Sequence, residues 1–259
     1  MRKRLTAVLV LGTVLAVACA GIATAYKPTI VKVGNLELIL NGGFKPTKLP
    51  KSKLAPIHLN VEGTINTIDG THPPALEKVI VETDKNGTIN AKGLPKCTIA
   101  KLVATETKVA EQHCKSSIVG TGTTDVEVKF EEQNPFIAHS KLLAFNGGVK
   151  GGVTTVLIHA FLKSPVSAAV ITTVKVSKIH KGPFGTKSVA TIPVIAGGNG
   201  SVKKFKLEIF RTFTRSGKKQ SYLLAKCPNG KLRARAESFF RGNGAPLIGE
   251  FSRPCTPKG

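Results

Sequence analysis

The sequence predicts a mainly β protein: an antiparallel β-sandwich, or a barrel-like sandwich, with one short helical segment near residues 98–114. Three observations carry this expectation. Apolar and polar residues alternate in many short stretches. The clearest is Thr124-Asp-Val-Glu-Val-Lys-Phe130, with Thr124, Val126, Val128 and Phe130 on one face and Asp125, Glu127 and Lys129 on the other. A period of two is strand geometry, and clean alternation marks a half-buried antiparallel strand. Short Gly/Asn-rich turns separate the stretches, which favours hairpins over the crossovers of a parallel sheet. Only residues 98–114 place apolar side chains at helical spacing, through Ile99, Leu102, Val103, Val109 and Ala110.

Met1-Arg-Lys-Arg4, the apolar run from Leu5 to Gly21 and Ala23-Thr-Ala25 have the three parts of a secretory signal peptide. Cys19 stands in a poor lipidation context, because Ala16 occupies the position three before it. Removal of residues 1–25 leaves 234. The expected organisation is residues 1–25 as signal peptide, 26–56 as an N-terminal strand and connector, and 57–259 as the β-sandwich domain.

Residues 29–40 alternate and read as a first strand ended by Gly42-Gly43. Residues 45–56 form a Pro/Lys-rich extended stretch, either a linker or a strap. Residues 57–68 read as a second strand. Leu76–Glu82 has a β-branched centre, and Asn86-Gly87 supplies a tight turn into a return strand at 88–91. Asp84-Lys-Asn-Gly-Thr-Ile-Asn90 looks like half of a calcium loop. It lacks a second acidic ligand and a Glu at the twelfth position, so the turn is preferred. Further strands are expected at 124–130, 136–145, 153–162, 168–179, 186–195, 202–213, 220–227, 231–240 and 246–252.

Four cysteines remain after the leader: Cys97, Cys114, Cys227 and Cys255. An even count behind a signal peptide favours two disulfides. Three pairings are possible, and closeness in sequence favours Cys97–Cys114 with Cys227–Cys255. The first would close a loop worth roughly 3 kcal/mol in the chain-entropy model. A continuous helix of that length would hold its ends too far apart. The bridge therefore predicts two short helical pieces folded back on each other.

Charge is the strongest functional signal. The chain carries 38 Lys and Arg against 15 Asp and Glu. Tyr26–Pro135 holds 14 basic and 12 acidic residues, whereas Phe136–Gly259 holds 21 basic and 3 acidic residues and no Asp. Such a surface should meet polyanions. In the C-terminal strands Lys204 and Lys206 alternate against Phe205 and Leu207. Lys231, Arg233 and Arg235 alternate against Leu232, Ala234 and Ala236. Both rows are expected on the outer face of one sheet, with strand 220–227 between or beside them. Same-face residues stand about 6.8 Å apart, which suits a repeating anionic polymer.

Catalytic signals are absent. No two of the six histidines sit at i,i+4 on a helix or i,i+2 on a strand, no G-x-S-x-G occurs, and the cysteines are expected to be oxidised. No cofactor and no metal site are implied. No run after the leader is long enough to span a membrane as a helix.

Asp84-Lys-Asn-Gly-Thr-Ile-Asn-Ala-Lys-Gly-Leu-Pro-Lys-Cys97, Ala190-Thr-Ile-Pro193 with Ile195-Ala-Gly-Gly198, and Leu224-Ala-Lys-Cys-Pro-Asn-Gly230 carry a resemblance. The chain resembles a family of uncharacterised secreted actinobacterial proteins over most of its mature length. The resemblance implies no activity and no site. The functional expectation is therefore a secreted or cell-wall-associated, non-catalytic protein. Its partner would be an anionic cell-wall polymer or membrane surface, bound through Lys204, Lys206, Lys231, Arg233 and Arg235. The alternatives are a secreted glycan-acting hydrolase and a charge-driven nucleic-acid binder. Two tyrosines and no tryptophan argue against base stacking in the latter.

Overall fold

The computed structural model describes residues 26–164 and 167–259. The signal-peptide and Cys19 expectations lie outside the described residues. The N-terminal elements are β1 (Thr29–Val33), β2 (Leu36–Lys45), β3 (Lys48–Pro50), β4 (Ala55–Pro56), β5 (His58–Thr67), β6 (Leu76–Asp84) and β7 (Gly87–Ile89). A helical crossing follows, with a 3-10 turn at Ile99–Lys101, α1 (Thr107–His113) and a second 3-10 turn at Lys115–Ser117. Five long strands come next: β8 (Ile118–Val128), β9 (Phe136–Lys150), β10 (Val153–Leu162), β11 (Ala168–Lys181) and β12 (Phe184–Thr191). The chain ends with β13 (Gly200–Ile209), β14 (Thr212–Arg215), β15 (Lys218–Ser221), β16 (Leu223–Ala225), β17 (Lys231–Phe240), β18 (Leu247–Pro254) and β19 (Thr256–Lys258).

Twelve strands form one antiparallel sheet in the order β1-β2-β5-β13-β8-β9-β10-β11-β12-β6-β17-β18. The sheet curls until β18 meets β1 and β2 without a backbone ladder between them. At that seam Gly249 lies against Leu40 and Val31, where a Cβ would stand 3.1 Å from Leu40 Cδ1. The expected antiparallel, barrel-like sandwich is therefore the observed fold.

Several local expectations are corrected. Residues 29–40 are two strands, because Gly34 takes a φ of +56° and turns the chain. Gly42-Gly43 does not end β2. Residue 42 instead lies so close to β5 that a Cβ would stand 2.8 Å from Asn60 O. The Asn86-Gly87 turn forms, but β7 does not return along β6. Both edges of β6 are already taken, by β12 and β17, so β7 pairs with β16. The stretch 220–227 is split between β15 and β16, and neither piece pairs with a strand of the large sheet.

The barrel is filled. Leu36, Leu38, Leu40, Ile65 and Leu247 pack at one end, and Val126, Val128, Leu162 and Ile195 beside them. Residues 45–56, left open as linker or strap, form a strap. With 91–94 and 222–227 they plug the other end, where Leu49, Leu94, Tyr222 and Ala225 are buried on Val119, Ala144 and Leu207. The helical crossing lies on the outside of β9 and β10. Leu102 and Ala110 cover Leu143, Phe145 and Leu157 there. Cys97 and Cys114 are bridged with Cα atoms 5.6 Å apart, because the crossing folds back as two short pieces. Cys227 and Cys255 form the second bridge.

Consecutive long strands are antiparallel, so successive connections alternate between the two ends of the barrel. Segments 45–57, 85–97, 147–152, 179–183, 210–230 and the tail from 254 gather at the end that holds both bridges, here the disulfide end. Segments 34–35, 68–75, 129–135, 163–164, 192–199 and 241–246 gather at the far end.

Candidate anion-binding surface

Lys204 and Lys206 are exposed on the outer face of β13, with Phe205 and Leu207 turned inward. Acidic residues stand beside both. Lys206 pairs with Glu62 at 3.4 Å, Lys204 lies opposite Asp125, and Glu208 shares their face. His139 adds a 2.7 Å contact to Asp125.

Lys231, Arg233 and Arg235 take the outer face of β17, and Ala234 and Ala236 face inward. Arg235 is held by Glu237 at 3.1 Å and Glu250 at 3.5 Å. It also stands opposite Glu82, which is buried and paired with Lys181 at 3.4 Å. Lys231 and Arg233 are exposed and lie at the disulfide end of their strand.

The two rows share the outer face of one sheet but do not form one row. Four strands lie between β13 and β17 across the seam, and six lie between them the other way. Strand 220–227 is not their neighbour. The expected sheet order is thereby corrected. Alternation fixed which way each side chain points, but alternation carries no information about which strands lie side by side.

The charge is concentrated elsewhere. At the disulfide end, residues 45–57 contribute four lysines, 85–97 three, 147–152 and 179–183 one each, 210–230 five basic residues and the C-terminal tail one. Those segments contain no Asp and no Glu. At the far end, Lys129, Lys163 and Arg241 are matched by Asp69, Glu131 and Glu132. The molecule is therefore electrically polar along the barrel axis. Two carboxylates near the basic end are already occupied. Asp84 is buried and spent on backbone and amide donors, Asn86 N at 3.0 Å, Asn86 Nδ2 at 2.7 Å and Arg233 N at 3.1 Å, and Glu111 on the helical crossing pairs with Lys141 at 3.0 Å. The sequence contained this signal. Counting charge in alternate connections would have found it, once residues 29–45 had been read as a hairpin.

At the far end Ser201 Oγ lies 3.2 Å from His72 Nε2, and His72 Nδ1 lies 2.8 Å from Glu127 Oε1. This is the order of nucleophile, base and orienting acid in an acyl-transfer triad. The hydroxyl is nevertheless committed. Ser201 Oγ stands 2.6 Å from the Pro73 carbonyl, which can only accept, and Ser201 is buried. The group ties the 68–75 connection to β8 and β13. Two clefts are lined by Lys85 and Phe184 in one case and by Lys101 and His113 in the other, and neither has a carboxylate in its lining. A glycosidic bond would need two. Among the described residues no group of three or more His, Cys, Asp or Glu is placed to hold a metal ion. Among the same residues no helix is long and apolar enough to cross a membrane.

Fold and surface together define a disulfide-bonded antiparallel β-barrel with one basic end. No family model, no curated protein and no solved structure matches the chain. None of these comparisons bears on the resemblance to secreted actinobacterial proteins.

Proposed function

We propose that the protein is a secreted, non-catalytic binder of an anionic cell-envelope polymer, and that it engages the polymer through the disulfide end of the barrel. The observation that carries this reading is the axial charge asymmetry, with one end basic throughout and the other balanced. Clustered cations without neighbouring carboxylates attract polyanions and raise their local concentration. The side walls fit this role less well, because Lys206 and Arg235 already have acidic partners. Secretion accords with two disulfides, which persist in oxidising compartments.

The test is retention on cell-wall preparations. Binding at low salt should be released by added salt, because screening weakens exposed charge pairs. Lys48→Glu with Lys51→Glu, or Lys218→Glu with Lys219→Glu, should lower the salt needed for release. Lys204→Glu with Lys206→Glu should change it little. No retention at low salt, or equal loss from side-wall and end variants, would overturn the reading.

A further inference from the structure

Two hairpin turns meet at the disulfide end. The turn after β6 and the turn between β11 and β12 are joined by Lys85 N, which donates to Pro183 O at 2.9 Å. Their approach is close. A Cβ on Gly185 would stand 2.5 Å from Lys85 Cα, so only glycine fits there. Beside this junction lies a cleft of about 470 Å³.

The lining has a specific chemistry. Lys85, Lys178 and His180 bring cationic or protonatable groups to it, and all three are exposed. Ile179 and the half-buried Phe184 supply apolar surface. No acidic side chain lines it. The two nearest acids are occupied elsewhere, Asp84 by Asn86 and the Arg233 backbone, and Glu82 by Lys181. Among the described residues Lys85 and Lys178 have no ion-pair partner closer than 4.0 Å, so their charge is left for a ligand.

We propose that this cleft binds a phosphate ester carried on a small polyol or sugar. Two ammonium groups with no carboxylate beside them act as point charges, and a phosphate monoester offers them close to two negative charges and three acceptor oxygens where a carboxylate offers one charge and two oxygens. Its volume falls within the range of small-molecule sites, roughly 300–1,000 Å³. Phe184 and Ile179 can cover the carbon skeleton while Lys85 and Lys178 hold the phosphate oxygens. The inference rests on the proposed polymer binding and specifies its repeating unit as a phosphate-bearing one.

The experiment uses the intact chain and glycerol 3-phosphate as probe, read by NMR from the His180 ring and the Gly182 and Gly185 amides. Saturable shifts confined to these groups are expected. Lys85→Gln with Lys178→Gln should weaken binding by about tenfold or more. Glycerol should not bind, and glucuronate should bind more weakly. No saturable shift, equal affinity for glucuronate, or unchanged affinity in the double variant would overturn the proposal. If the double variant misfolds, each single glutamine variant serves in its place, with a weaker loss expected from each. Retention on cell-wall material with no glycerol 3-phosphate binding would defeat the cleft alone. Glycerol 3-phosphate binding without retention would defeat the polymer reading alone.

Discussion

Arg253 Nη2 donates to Asn41 Oδ1 at 3.3 Å across the seam of the barrel. Its Nε donates to the Gly42 carbonyl, and its guanidinium lies 5.1 Å from the Tyr26 ring and 5.2 Å from the Phe251 ring. Where β18 meets β2 there is no backbone ladder, so a side chain supplies the hydrogen bonds. Burial lowers the Arg253 pKa, and Tyr26 opposes that shift.

Arg253→Met should therefore cost about 2 kcal/mol, the scale for hydrogen bonds to a charged group. Arg253→Lys should recover only part, because an ammonium cannot reproduce the fork. Urea unfolding of the two variants measures both. An Arg253→Met protein as stable as the parent would show that apolar packing at Gly249 alone closes the seam.

His159 gives a pH dependence with a definite sign. It is fully buried under the helical crossing, its Nε2 donates to Thr105 O at 2.9 Å, and its Nδ1 has no partner. Burial holds its pKa below the ordinary 6.5, against the opposing pull of the Thr105 carbonyl. The unfolded chain then binds a proton before the folded chain does. The stability due to neutral His159 is complete above 6.5 and is lost as pH falls, until the folded-state group itself protonates. His159→Gln should flatten that slope in unfolding curves taken from neutral pH downward. An identical slope in the variant would assign the loss to other groups.

Gly122 on β8 has no room for a methyl group. A Cβ there would stand 2.0 Å from Lys206 O and 3.0 Å from Leu207 Cα. Gly122→Ala must push β8 from β13 and should cost about 3 kcal/mol. Gly151→Ala is the informative contrast. Residue 151 has open space but a φ of +57°, so only backbone strain of about 1 kcal/mol is expected. Thermal unfolding of the pair separates crowding from conformational strain, and equal losses would contradict the close approach of β8 and β13.

The His72 tie predicts a loss without a functional consequence. Ser201→Ala removes the donor to Pro73 O and should lower stability by about 1–2 kcal/mol. Polymer retention should not change, because His72 and Ser201 stand at the far end. A loss of retention in a folded Ser201→Ala protein would move the binding surface away from the disulfide end.

Much of this architecture was legible from residue order, for a physical reason. Strand existence follows from period two, and Thr124–Phe130 shows it plainly. The disulfide pairing followed from nearness in sequence, and the broken helix followed from the pairing. Neighbour relations were less accessible. Leu76–Glu82 followed by Asn86-Gly87 is a good local hairpin signal, yet long-range pairing of β6 with β12 and β17 overrode it. The rows at Lys204 and Arg233 point outward as expected. Their separation around the barrel depends on closure at Arg253 and Gly249, which no local pattern encodes. The cleft at Lys85 and Lys178 was hidden for the same reason, since it joins residues 93 positions apart in the chain.

Both covalent bridges fasten the same end. The Cys97–Cys114 bridge anchors the crossing and the Cys227–Cys255 bridge ties the tail to the plug, whereas among the described residues the far end is held without a covalent bridge, by core packing, the hydrogen bonds of its turns, the Arg241–Glu77 pair and the His72 tie. Opening should consequently begin among residues 68–75, 129–135 and 241–246, whose amides would exchange with solvent first. The basic end would keep its geometry while the opposite rim frays. A protein tethered by that end could lose order at its outer rim and stay attached to the polymer.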